Sequence, residues 1–265
     1  MKARNVRIFL VPLLCLFFYC NFCFPYTIDT YPNLNPGYSA KKIPFVLVFI
    51  NYTNEQSYSA DLSILNEKLM TTSPFDEFLK NIVVYKIDIS REEEKIFFKK
   101  TQNFPYVSVR TDLLENIASD VKGAYKLVIV DSLGSLSCAE LSLVDKFSLI
   151  ILGRGRYKNK EDFAKGFMHE LGHSFGLRDE CSSCNQGRAG FPNCASNEKE
   201  AEKWWGRQVT ERGRVGYFKG CCGRKDYIRP TIASLMNDPN KARDFGPVNE
   251  EYLRDSMTNF LALQQ

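Results

Sequence analysis

Both histidines of the 265-residue chain lie in one short stretch with the residue spacing of a metal site. His169 and His173 are four residues apart, so on a helix they lie on one face, about one turn from each other. Glu170 follows His169 directly, where its carboxylate can accept a proton from water held at such a site. Gly176 can end the helix and turn the chain back, which makes Asp179 the candidate third ligand. Two histidines, one carboxylate and an open fourth position are typical of catalytic zinc.

The helix that would carry these residues is itself predicted by an apolar stripe. Four apolar side chains recur every four residues, at Phe163, Phe167, Leu171 and Phe175. Such a stripe gives a helix one face to bury and leaves the neighbouring face for the metal. The alternative is an accidental H-E-x-x-H, in which both histidines are ordinary surface or core residues. The stripe, the glycine and the following carboxylate together favour the metal site.

The extended pattern H-E-x-x-H-x-x-G-x-x-D resembles the metzincin zinc peptidases in their aspartate-ligand variant, as in the small secreted snapalysin-like enzymes. The longer string HELGHSFGLRDE resembles the bacterial IgA-peptidase-type metallopeptidases, and so do the strings at 229–236 and 245–249. The resemblance covers about residue 126 to the C-terminus. The chain departs from it at Cys181, where the IgA-peptidase-type pattern usually has tyrosine. The spacing after His173 is also about one residue short of some members, which leaves Asp179 and Glu180 as alternative third ligands.

The resemblance implies a metzincin-like zincin catalytic domain of the α/β (α+β) class. A mixed sheet would carry the active-site helix, and a smaller cysteine-rich subdomain would follow it. Met236 would form the methionine turn, an apolar floor beneath the metal, although an ordinary core methionine is the alternative reading. An edge strand within 132–140 would pair with the substrate backbone. One Zn²⁺ would activate water and polarise the scissile carbonyl, with Glu170 as general base.

Hydrophobic patterning predicts the elements that position the site. Continuous apolar runs predict buried strands at 43–50, 82–89, 126–131 and 147–152, and helical spacing predicts helices at 59–70 and 112–121. A charged segment at 92–100 predicts a solvated helix, and the glycine-rich and basic segment 153–160 predicts the loop that leads into the metal helix. This alternation indicates an α/β layer.

Three predictions concern the chain beyond the metal helix. Ser196 is predicted to cap a helix from Asn197 to about Trp204. Asn249 is predicted to cap a closing helix. The adjacent Trp204 and Trp205 either line the cleft or cover a small core.

The first 24 residues predict a signal peptide or signal anchor. Three basic residues precede a thirteen-residue apolar run from Ile8 to Cys20, which is short for a membrane span. No A-x-A cleavage site is visible, so an uncleaved anchor remains open. Residues 25–42 predict a linker or leader, and 43–265 the catalytic domain, divided into an upper part (43–176) and a lower part (177–265).

Charge and cysteine content narrow the class of protein. Without the first 24 residues the chain has 32 basic and 31 acidic residues, a net charge of +1, and no basic stripe that would indicate a nucleic-acid partner. Six cysteines remain, and export would allow them to form disulfides. The alternative is a structural zinc site. The cysteines are Cys138, Cys181, Cys184, Cys194, Cys221 and Cys222, and the zinc site would use Cys181, Cys184, Cys194 and one of the last two.

We therefore expect a secreted zinc-dependent endopeptidase that acts on protein or peptide substrates. Two alternatives remain open. One is a secreted or surface-anchored binding module with a structural or vestigial metal, and the other is a peptidase held at the membrane by an uncleaved N-terminal segment. Glu170 favours an enzyme, because a purely structural metal site does not need a general base.

Overall fold

The computed structural model describes residues 27–30, 41–100, 107–121, 125–140, 147–184, 187–239 and 241–264. The predicted signal segment, residues 1–24, lies outside the described residues. None of the helices in the described part combines the length and hydrophobicity that a membrane span requires.

Ten strands and six α-helices make up the described part of the chain. The strands are β1 (Thr27–Thr30), β2 (Ile43–Ile50), β3 (Ile82–Asp88), β4 (Phe98–Lys100), β5 (Val107–Val109), β6 (Tyr125–Asp131), β7 (Cys138–Glu140), β8 (Phe147–Gly153), β9 (Phe218–Cys221) and β10 (Arg224–Arg229). The helices are α1 (Glu55–Thr71), α2 (Arg91–Phe97), α3 (Thr111–Val121), α4 (Lys160–Ser174), α5 (Glu198–Arg212) and α6 (Pro247–Ala262).

Six of the strands form one mixed sheet, in the order β1-β3-β2-β6-β8-β7. The four central strands are parallel, and β1 and β7 run antiparallel at the two edges. Each central strand is rich in Val, Ile and Leu, and most of its residues are buried on both faces, as is usual for parallel strands. The predicted mixed α/β architecture and the four predicted central strands are confirmed.

Alternate residues of these strands enter two separate cores. On one face, Phe45 and Leu47 of β2 pack with apolar residues of α1, α4 and α6. On the other face, Val46 and Val48 pack with α3 and with Phe97 at the end of α2. The sheet therefore has helices on both sides, and α4, the predicted metal helix, lies against one face of it.

One predicted helix of the upper part is wrong in detail, and one predicted linker contains a short strand. Within 25–42, predicted as a linker or leader, Thr27–Thr30 form β1, which pairs with the end of β3. The predicted helix at 92–100 ends at Phe97, and Phe98–Lys100 form β4, which pairs with β5. Phe97 and Phe98 are both buried, and two consecutive apolar residues cannot both lie on a solvated helix face.

Two predicted helix caps in the lower part are also wrong. The cap of α5 is Asn197, whose side chain accepts a hydrogen bond from the backbone N–H of Glu200, while the Ser196 hydroxyl binds the Glu200 carboxylate instead. The helix α6 begins after Gly246, and Asn249 lies inside its first turn with its side chain fully buried. The amide of Asn249 faces the protein interior rather than the helix end.

Trp205 packs in the small core of the lower part. Its side chain is 1% exposed, among Ala201 and Val248, and its indole N–H donates to the Gly216 carbonyl at 3.0 Å. Trp204 is only partly buried and contacts the exposed ring of Phe191 edge-on. For Trp205, packing in the core is therefore the correct alternative.

Two disulfide pairs form among the described cysteines. Cys181 pairs with Cys184 and Cys194 with Cys221, and Cys138 and Cys222 belong to neither of these pairs. The buried Cys222 sulfur lies within 4.8 Å of the Cys194 and Cys221 sulfurs. Cys181 and Cys184 lie together beside Asp179, so the five cysteines that follow α4 form two groups and not one four-sulfur site.

Candidate metal centre

The helix α4 is held in place by its cap and its buried stripe. Asn159 caps its first turn, accepting a hydrogen bond from the Asp162 N–H at 2.8 Å. The stripe residues Phe163, Phe167 and Leu171 are at most 2% exposed and pack against the sheet. A helix buried on this face has little freedom to rotate, so the direction of its histidine side chains is fixed.

A tight turn at the end of α4 brings the next segment back over the helix. Gly176 has φ 101°, a left-handed conformation that glycine adopts without strain, as predicted for this position. Its N–H donates to the His173 carbonyl at 2.9 Å, and the Leu177 N–H donates to the Gly172 carbonyl at 3.1 Å. These bonds close the helix and direct residues 177–180 back towards its histidine face.

The turn brings Asp179 to the two histidines. The Nε2 atoms of His169 and His173 are 3.1 Å apart, and Asp179 Oδ1 lies 3.3 Å from the first and 3.4 Å from the second. A tetrahedral zinc ion 2.0–2.1 Å from its ligands holds the ligand atoms about 3.3 Å apart. The three predicted ligand atoms thus have the separations that one zinc ion requires, and the donor set of two imidazoles and one carboxylate suits zinc.

Both imidazole rings are oriented by backbone carbonyls. His169 Nδ1 donates to the Leu235 carbonyl at 2.7 Å, and His173 Nδ1 donates to the Leu177 carbonyl at 2.8 Å. Because a carbonyl can only accept, each Nδ1 carries a proton and each Nε2 faces the shared point, where a neutral ring offers its lone pair to a metal. This carbonyl–imidazole arrangement is the usual support of histidine metal ligands.

The two carboxylates of the site have opposite pKa shifts. Burial by itself would raise the pKa of Asp179, but hydrogen bonds to His169 and His173 outweigh it and hold that pKa well below its usual range. Burial raises the pKa of Glu170, against the charges of both histidines and of Arg156. Asp179 is therefore anionic, as a metal ligand must be, while Glu170 is the carboxylate in this site with increased affinity for a proton.

Glu180, the alternative third ligand, faces away from the histidines. Its side chain is fully buried, and both oxygens accept hydrogen bonds. Oε1 accepts from the amides of Asn193 (3.0 Å) and Asn249 (2.8 Å), and Oε2 accepts from the hydroxyls of Thr231 (3.2 Å) and Ser234 (2.6 Å). These four bonds occupy the carboxylate, so the adjacent Asp179 alone is available to a metal at this turn.

Met236 lies directly beneath the end of α4. It is fully buried, and its Sδ would be 2.6 Å from a Cβ added at Gly172. Its carbonyl accepts from the Glu180 N–H at 2.8 Å, and the preceding carbonyl, of Leu235, supports His169. The segment 234–236 therefore contacts both the end of α4 and the turn that carries Asp179.

Two features of the site were not found from the sequence. One is the set of four donors around Glu180, which come from positions 193, 231, 234 and 249. The other is Tyr157, whose ring packs against Gly166 so closely that no Cβ fits there, and whose hydroxyl binds Ser137 at 2.9 Å. The strings at 229–236 and 245–249 were a signal for three of the donors, while no local pattern indicated Asn193 or Tyr157.

The chain matches no protein-family model and no curated protein. Among solved structures it is similar to archaemetzincin (amzA) from Methanopyrus kandleri, with 16% sequence identity and a TM-score of 0.30 over 53% of this chain and 79% of that chain. Archaemetzincin is named as a metzincin, but at this level the likeness does not define a shared fold. The site is accordingly characterised by its own geometry.

Proposed function

We propose that the protein is a zinc-dependent peptidase, with His169, His173 and Asp179 as zinc ligands and Glu170 as general base. The observation that carries the proposal is the tetrahedral spacing of the three ligand atoms beside a buried carboxylate. Zinc, when bound, supplies a Lewis acid that activates water and polarises the scissile carbonyl.

The protein's own residues supply the proton transfer. Glu170 is 5% exposed and follows a ligand histidine on α4, so its carboxylate lies beside the position a zinc-activated water would take. Its raised pKa brings its proton affinity closer to that of the groups with which it exchanges protons. Glu170 would accept a proton from the attacking water and donate it to the leaving amine.

The edge of the sheet offers a place for the substrate backbone. The strand β7 lies at the edge beyond β8, pairing Cys138 with Ile151, and it packs near α4. An edge strand has one row of backbone N–H and C=O groups not used within the sheet. A peptide that adds to this row would be extended and would lie in front of the α4 histidines. Hydrolysis of an internal peptide bond requires a substrate in this extended conformation.

We also propose that the protein acts outside the cytoplasm. The support is the two disulfide pairs of the lower part, which persist in oxidising compartments, and the signal-like N-terminal sequence. The mass of the exported protein would show whether residues 1–24 are removed or retained as an anchor.

The test is the comparison of wild type with Glu170→Gln and a control, Glu198→Gln, which alters an exposed glutamate on α5. All three are expected to bind one zinc per chain by elemental analysis. Cleavage of an unfolded protein mixture should fall about 10²- to 10⁴-fold in Glu170→Gln alone, because that is the contribution of a positioned general base. Wild type without zinc, or Glu170→Gln with full activity, would refute the proposal.

A further inference from the structure

The segment that leads into α4 carries exposed positive charges with no ion-pair partner in the described part of the chain. Arg156, Lys158 and Lys160 are exposed, and none of them has an ion pair within the described residues. Arg154, in the same segment, is different, because its guanidinium pairs with Asp61 at 3.1 Å. Three cations therefore face solvent at one end of the metal helix.

The acidic residues next to this segment are already engaged. Glu161 pairs with Lys68 at 3.2 Å and lies 3.7 Å from the amine of Lys165. Asp162 accepts a hydrogen bond from the side chain of Asn159 at 2.8 Å. The exposed cations are thus available to an anionic group from outside the chain.

The first of these cations lies beside the general base. The Tyr157 ring packs against Gly166, which is four residues before Glu170 and so on the same face of α4. The Arg156 guanidinium lies over that ring, 5.9 Å from its centre. Arg156 is therefore one helical turn and one ring away from Glu170, close enough for its charge to act on that carboxylate.

The direction of the edge strand β7 determines which side of the scissile bond would lie near Arg156. Ser137, directly before β7, accepts hydrogen bonds from the Tyr157 hydroxyl and from the Gly153 N–H, so the start of β7 lies at the Arg156 end. A peptide that added antiparallel to β7 would run in the direction of β8. In that orientation its residues after the scissile bond would pass Arg156.

We propose that the cations of 156–160, Arg156 foremost, make this enzyme select peptides with an acidic residue on the C-terminal side of the cleaved bond. The inference rests on the proposed peptidase function and names a substrate class for it. Exposed ion pairs change binding by about 1.4- to 5-fold each, so a Glu-over-Lys preference of about 10-fold is expected when attraction and repulsion combine. Salt weakens such contacts, since charges are screened over about 10 Å at 0.1 M ionic strength.

The experiment uses peptides that differ only in the first residue after the cleaved bond, which is Glu, Gln or Lys. The proteins are wild type, Arg156→Glu and the control Lys225→Glu, which reverses an exposed charge on β10. Wild type and Lys225→Glu are expected to cleave the Glu peptide about 10-fold more efficiently than the Lys peptide, by kcat/KM. Arg156→Glu should reverse the order while zinc content stays at one per chain.

Two further measurements distinguish selection by charge on the C-terminal side of the cleaved bond from other causes of a preference. In 0.5 M salt the wild-type preference should shrink to about 2-fold or less. A Glu placed on the N-terminal side of the cleaved bond should give no such preference. Equal cleavage of the three peptides by wild type, or an unchanged order in Arg156→Glu, overturns the charge selection and leaves the peptidase intact. Failure of wild type to cleave any peptide or unfolded protein overturns the proposed function itself.

Discussion

Lys126 is a buried cation behind the metal helix, and its removal should change how stability depends on pH. The side chain is 7% exposed, on β6. Its amine donates to the Ser148 hydroxyl at 3.0 Å and to the Ser174 carbonyl at 2.6 Å, and lies 4.1 Å from the centre of the Phe175 ring. No carboxylate pairs with it in the described part of the chain, so burial lowers the pKa of Lys126 from 10.5 to about 7.

The sign of the effect follows from the protons bound in each state. Between pH 7 and pH 10 the unfolded lysine is protonated while the folded one is mostly neutral, so raising the pH stabilises the fold. A tenfold difference in proton affinity is worth about 1.36 kcal/mol, so the drop from 10.5 to about 7 corresponds to roughly 4–5 kcal/mol in all. Roughly 2 kcal/mol of this should be regained between pH 7 and pH 9.

The assay is urea unfolding of wild type and Lys126→Met at pH 7, 8 and 9, at one free zinc concentration. Methionine keeps the length of the side chain and cannot titrate, so the free energy of unfolding of wild type should rise by roughly 2 kcal/mol relative to the variant. The variant also loses the hydrogen bonds of the Lys126 amine, which changes its free energy of unfolding by the same amount at each pH. Lys199→Met, at an exposed site on α5, should show no such difference. A flat difference between wild type and Lys126→Met over this range would refute the reasoning.

Two further predictions concern the packing beneath the metal. Gly172→Ala would place a Cβ 2.6 Å from Met236 Sδ and 2.9 Å from the Phe245 ring, so urea unfolding should show a loss of about 1–3 kcal/mol, and unchanged stability would mean that Met236 moves freely. Glu180→Gln would place a new N–H₂ donor against groups that already donate, so a loss of about 1–3 kcal/mol and weaker zinc binding are expected, with Glu198→Gln as control. A Glu180→Gln protein with wild-type stability would contradict the role assigned to this carboxylate.

The features predicted well from the sequence are those set by near neighbours along the chain. The histidine spacing, the stripe of α4 and the left-handed Gly176 depend on one or two helical turns. The central strands are runs of apolar residues long enough to identify by themselves, because both of their faces are buried.

The features predicted poorly depend on distant parts of the chain. Asn249 has the residue type of a helix cap, but its amide binds Glu180, 69 residues away. The sequence could not separate Asp179 from Glu180 as ligand either, because both are carboxylates at one turn. Only the donors that surround Glu180 decide which of the two side chains points to the histidines. Thr27, Asp29 and Thr30 of the short strand β1 are polar and exposed, so only the pairing of β1 with β3 reveals it.

The four bonds to Glu180 also affect when the centre can assemble during synthesis. Only His173 is supported locally, by the Leu177 carbonyl. His169 is oriented by the Leu235 carbonyl, 66 positions later, and the neighbour of Asp179 is held by Asn249, 69 positions later, so both must wait for distant segments to leave the ribosome. A nascent chain therefore has an incompletely oriented ligand set until Asn249 has emerged. In a peptidase, this order of events would restrain cleavage of neighbouring chains before synthesis ends.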